Sequence, residues 1–71
     1  MEKKSGRKLQ ETRKQQGLTQ LALSQRTNIH PNEISRIERG IIQPYPGWRR
    51  RIAAALGVPE DELFPEVGAD E

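Results

Sequence analysis

The chain has 71 residues, of which 31% are charged and 32% hydrophobic, with a formal net charge of +2 and a mean hydropathy of −0.89. That length and balance bound it to one domain with a small core, while the lack of cysteine and the single His30 exclude disulfides and the usual zinc ligand sets, so neither a metal nor a cofactor is expected. No apolar run approaches the roughly 18 residues of a membrane span, and Met1, Glu2, Lys3 and Lys4 are not followed by the apolar stretch of a signal peptide, which makes the cytoplasm the expected compartment.

In chain order, residues 1–5 read as a flexible basic N-terminus, residues 6–65 as the folded domain and residues 66–71 as a flexible acidic tail. A first helix is predicted over 6–16, with Gly17 as its stop. Thr19 can cap a second helix over 20–27, on whose apolar face Leu23 falls, and Asn28 stands where the chain must turn through a left-handed conformation. Ile29 enters the turn. His30, lying before a proline, is biased to extended geometry, and Pro31 suits the first position of a third helix over 31–39. Along it Ile34, Ile37 and Ile41 recur at i, i+3 and i+7, with Gly40 ending the helix. Gln43, Pro44, Tyr45 and Pro46 form a loop; Pro46 starts a fourth helix that reaches 56, and Pro59 a short fifth through 63. Glu60, Asp61 and Glu62 then occupy the first turn of that last helix, where the macrodipole favours acids, and this structural role outweighs a catalytic one. No strand-period run is present, so the fold class is all-α with five helices. The expected core is Leu9, Leu18, Leu23, Ile29, Ile34, Ile37, Trp48, Ile52, Ala55, Leu56, Val58, Leu63 and Phe64.

Two short helices and a tight turn over 19–40 make a DNA-reading motif. The outer face of the third helix carries Asn32, Glu33, Ser35, Arg36 and Arg39, whose side chains can reach base edges and phosphates. Asn32 and Arg36 are i and i+4 and project about one turn apart into the same groove, Asn suited to a bidentate bond with adenine and Arg with guanine. Charge supports a polyanionic partner. All twelve lysines and arginines lie in residues 1–51 beside four acids (Glu2, Glu11, Glu33, Glu38), a charge of +8, whereas residues 52–71 hold six acids and no base, a charge of −6.

Thr19 with Gln20, then Ile34, Ser35, Arg36, Ile37, Glu38, Arg39 and Gly40, then Ala55, Leu56, Gly57 and Val58 with Asp61, Glu62, Leu63 and Phe64, resemble the Xre-type helix-turn-helix family of phage repressors and Cro. The likeness runs without gaps from about Leu9 to Phe64 and implies the five-helix lambda-repressor-like domain. It implies base contacts from Pro31, Asn32 and Arg36 with Ser35 and Glu33 as neighbours, although Pro31 stands where a polar side chain is common and leaves only an apolar contact. Glu33 has three readings, a cytosine contact, a cap of its own helix or a tether on Arg36, and capping is favoured. Phosphates are expected on Gln20 and the backbone amides beside it, on Arg39 and on Gln43, and His30 is read as a helix cap or a phosphate contact. The resemblance also implies a partly buried ion pair between Arg13 and Glu38, and a dimer surface that would include Trp48, Arg49, Glu60 and Glu62. Departures from the family pattern are Thr12 and Thr27 for aliphatics, Ser24 for alanine, Asn28 for glycine, and Ile41 and Ile42 for the basic residues that often follow the glycine. Lys3, Lys4, Arg7, Lys8 and the run Arg49, Arg50 and Arg51 could compensate, but a helix cannot aim three consecutive side chains at one partner.

Two functional classes follow. The first is a sequence-specific regulator, a repressor that binds a palindromic double-stranded DNA operator as a weak homodimer. The alternative is an antitoxin-like or coactivator-like protein-interaction module of the same fold, with Leu21, Ile41, Ile42 and Tyr45 as its contact surface. An enzyme is not expected, because no nucleophile and base pair, glycine-rich phosphate loop or metal set is present.

Overall fold

A computed structural model describes residues 6–65, and the two termini expected to be flexible lie outside the described residues. Five helices follow one another: α1 (Arg7–Gln15), α2 (Gln20–Thr27), α3 (Pro31–Glu38), α4 (Pro46–Leu56) and α5 (Glu60–Leu63). No strand occurs among the described residues.

Local chemistry explains each boundary. The Thr19 hydroxyl accepts from the Ala22 amide at 3.0 Å and closes the start of α2. Pro31 and Pro46 open α3 and α4 at positions where a missing N–H costs nothing. Pro59 sits one step earlier than expected, as the extended residue before α5, so that helix begins at Glu60. Gly17 likewise lies one residue past the cap of α1: with φ of +73° it donates to the Lys14 carbonyl at 3.0 Å while Leu18 donates to Arg13 at 3.1 Å. Asn28 takes φ of +61° and donates to Ser24 at 2.8 Å, the left-handed end that the sequence predicts for α2.

Packing places α2 against α3 and α4, α5 against α4, and α1 against α3 and α5. Leu9, Leu23, Ile29, Ile34, Ile37, Ile52, Leu56, Leu63 and Phe64 form the buried core, with Leu18, Trp48, Ala55 and Val58 packed partly buried around it, all of them expected. Ala53 and Ile42 join that outer layer. Ile42 is thereby a correction to the proposed outer contact surface, because its side chain turns inward where apolar area leaves water. Phe64 is the fully enclosed aromatic, whereas Trp48 is half-buried and meets the exposed Tyr45 ring edge to face at 4.7 Å. Thr12, Ser24 and Thr27 are buried, and the Thr27 hydroxyl donates to the Leu23 carbonyl at 2.8 Å, so a polar group at an aliphatic position keeps its hydrogen bond.

Three long-range contacts fix how the helices sit. The Gln16 amide donates to the Leu56 carbonyl at 2.8 Å, and the Arg51 guanidinium to the Thr27 carbonyl at 3.2 Å, which closes the ends of α4 and α2 with donors from elsewhere in the chain. Gly6 is buried where the start of α1 crosses the end of α3, and a Cβ there would run into the Ile37 carbonyl oxygen and the Glu38 backbone.

Candidate nucleic-acid interface

The recognition unit is built from α2, the turn at Asn28, Ile29 and His30, and α3. Ile29 is 2% exposed and anchors the turn to the core, while Ile34 and Ile37 bury the inner face of α3. Those anchors leave the other face outward: Asn32, Arg36 and Arg39 are exposed, and Pro31, Glu33 and Ser35 are half-buried beside them. Asn32 and Arg36 therefore stand together on solvent, as their i and i+4 spacing requires.

The start of α3 is closed by His30, whose Nδ1 accepts from the Asn32 amide at 3.0 Å. In the neutral ring this puts the hydrogen on Nε2, which is left able to donate outward. The capping half of the His30 reading is realised in the fold; a phosphate contact would use the opposite edge. Glu33 takes the tether in place of the favoured cap, with its carboxylate 3.9 Å from the Arg36 guanidinium. Such a partly exposed pair is worth little and does not lock the Arg36 side chain in place.

The opposite end of α3 is held from inside. Arg13 donates from Nε to Glu38 Oε2 at 2.6 Å and from Nη2 to Glu38 Oε1 at 3.0 Å, with the two side chains 8% and 1% exposed. A third bond runs from Arg13 Nη1 to the Leu18 carbonyl at 2.7 Å, just before the start of α2. Gln20, expected only as a phosphate ligand, also donates from Nε2 to Glu38 Oε1 at 3.0 Å. Nothing in the sequence announces that bond, since its partners are 18 residues apart. Arg39 and Gln43 are exposed beyond the end of α3.

Some charges away from this face are engaged within the chain. Arg49 lies 3.6 Å from Glu60 and donates to the Pro44 carbonyl at 3.3 Å, Arg51 caps α2, and Arg50 is exposed with no ion pair among the described residues. The triple-arginine run thus points three ways. Glu62 is exposed on α5. Leu21, Ile41 and Tyr45 are exposed apolar side chains near the motif.

A capped helix, a three-residue turn and a second helix with one face buried and one face of Asn and Arg define a helix-turn-helix protein. The family model described as a helix-turn-helix domain matches residues 6–64, and the chain belongs to that family. Membership points to DNA as the ligand class. No curated protein matches the chain. No helix among the described residues is long and apolar enough to cross a membrane.

Proposed function

We propose that this chain is a sequence-specific regulator of the Xre type, a cytoplasmic repressor that lays α3 in the major groove of a palindromic operator. The observation that carries this reading is the division of α3 into an inner face locked by Ile34, Ile37 and the Arg13–Glu38 pair and an outer face presenting Asn32 and Arg36 together. Locking matters because bidentate base contacts tolerate little misplacement, and a helix held at both ends presents them at a fixed angle. In this mode Pro31, Asn32, Glu33, Ser35 and Arg36 face the bases, while Gln20, His30, Arg39 and Gln43 hold phosphates and set register. Two half-sites roughly 34 Å apart would each receive one copy.

Selection of bound duplexes from a random DNA pool tests the reading: one enriched sequence with two-fold symmetry and a steep salt dependence supports it. A second reading has its own observation, since Leu21, Ile41 and Tyr45 are 57%, 59% and 64% exposed, as a protein-interaction module would require. Weak, sequence-blind binding to every duplex in the pool would favour that module and remove the regulator.

A further inference from the structure

We infer that Gln20 is a positioning residue, one that couples the grip on the DNA backbone to the angle of the recognition helix; the inference rests on the regulator reading. The Gln20 amide nitrogen carries two hydrogens. One is committed to Glu38 Oε1 at 3.0 Å, and the side chain is only half-buried at the first residue of α2, so the second hydrogen is available to a phosphate oxygen. Behind Gln20 lies a closed set of bonds: Glu38 in the last turn of α3 is held through both oxygens by Arg13, and Arg13 in turn holds the Leu18 carbonyl two residues before Gln20. The amide nitrogen thus stands between a phosphate outside and the end of α3 inside. A phosphate bound there also fixes the carboxylate that orients α3, and with it Asn32 and Arg36.

A simple phosphate ligand behaves differently. Its loss weakens every duplex alike, whereas loss of a positioning residue must also reduce discrimination between sequences. Gln20→Met keeps the length of the side chain and removes both donors. Gln20→Lys keeps donors enough for a phosphate and for Glu38, and serves as the rescue.

The experiment measures affinity of the full chain for the duplex selected from the random pool and for a scrambled duplex of equal composition. For Gln20→Met the expected loss is about threefold on the scrambled duplex and about thirtyfold on the selected one, a roughly tenfold fall in specificity. In a background carrying both Asn32→Ala and Arg36→Ala the extra loss on the selected duplex should vanish, because the contacts being misplaced are already gone. Gln20→Lys should restore the parent ratio. Equal losses on both duplexes would make Gln20 a phosphate ligand only and overturn the inference while leaving the regulator intact; a lowered melting temperature with unchanged DNA affinity would overturn it too. A parent that selects no sequence removes the proposed function and this inference with it.

Discussion

Arg36 and Asn32 are the two side chains of the proposed base-reading face, and both are exposed with no core role. Arg36→Ala should therefore leave stability nearly unchanged, cost about 1 to 3 kcal/mol of binding to the selected duplex, and relax selection at one base pair; Asn32→Ala should do the same at a neighbouring pair. A repeat of the pool selection with each variant checks this, and unchanged profiles would mean that another face reads the bases. Glu38 is the opposite case, because its side chain is 1% exposed and its removal strands the Arg13 guanidinium inside the protein. Glu38→Ala should cost about 3 kcal/mol, and since about 1 kcal/mol shifts the melting of a domain this small by several degrees, the loss is measurable by thermal unfolding. Changing both members to leucine should recover part of it, and an unaltered midpoint for Glu38→Ala would show that the pair stabilises nothing. The outward pair was legible from i and i+4 spacing alone. The Arg13–Glu38 pair, 25 residues apart, was legible only through family resemblance, and the Gln20–Glu38 bond not at all, because neither periodicity nor punctuation reports on which distant polar groups the packing brings together.

At the scale of elements, the helices were readable because each is bounded by residues whose local chemistry permits few alternatives: Thr19, Asn28 and Gly40, and the prolines at 31 and 46. What local reading missed lies where two elements meet. Gly6 is an unremarkable helix start in sequence, yet the end of α3 crosses it so closely that a methyl group would strike the backbone of Ile37 and Glu38. Since backbone cannot swing aside as a side chain can, Gly6→Ala should cost about 2 kcal/mol or more, read as a lower denaturation midpoint, whereas an open surface position would tolerate the change. A variant as stable as the parent would mean that α1 shifts freely over α3. His30 provides the complementary test of a purely local device. His30→Ala removes the acceptor for the Asn32 amide and should cost about 1 kcal/mol, while His30→Ser, which can cap in the same way, should lose much less. Equal losses in urea titrations of the two variants would assign His30 to packing in place of capping.

The whole molecule is electrically divided, +8 over residues 1–51 and −6 over residues 52–71, and that division frames its assembly. If the basic part faces phosphates, the acidic part faces solvent or a second copy. A two-fold contact through Trp48, Arg49, Glu60 and Glu62 would let each copy offer both signs to the other, but Arg49 already lies 3.6 Å from Glu60 of its own chain, so pairing across the axis would exchange an existing ion pair for an equivalent one. The exchange supplies specificity of register and little net energy, because partly exposed pairs are worth at most about 1 kcal/mol. What is left is the half-buried Trp48 with its exposed neighbour Tyr45, an apolar area too small for an interface that holds without DNA; contacts well below about 1,000 Å² are weak. The expected outcome is a monomer at micromolar concentration by sedimentation, and cooperative binding of two copies when a duplex carries both half-sites, because the shared duplex raises the effective concentration of one copy for the other. Arg49→Glu should reduce that cooperativity, since two copies would then meet acid against acid, and should leave affinity for a single half-site within about threefold. A stable dimer in free solution, or two half-sites filled independently, would show that the surface at α4 and α5 does not join two copies in this way.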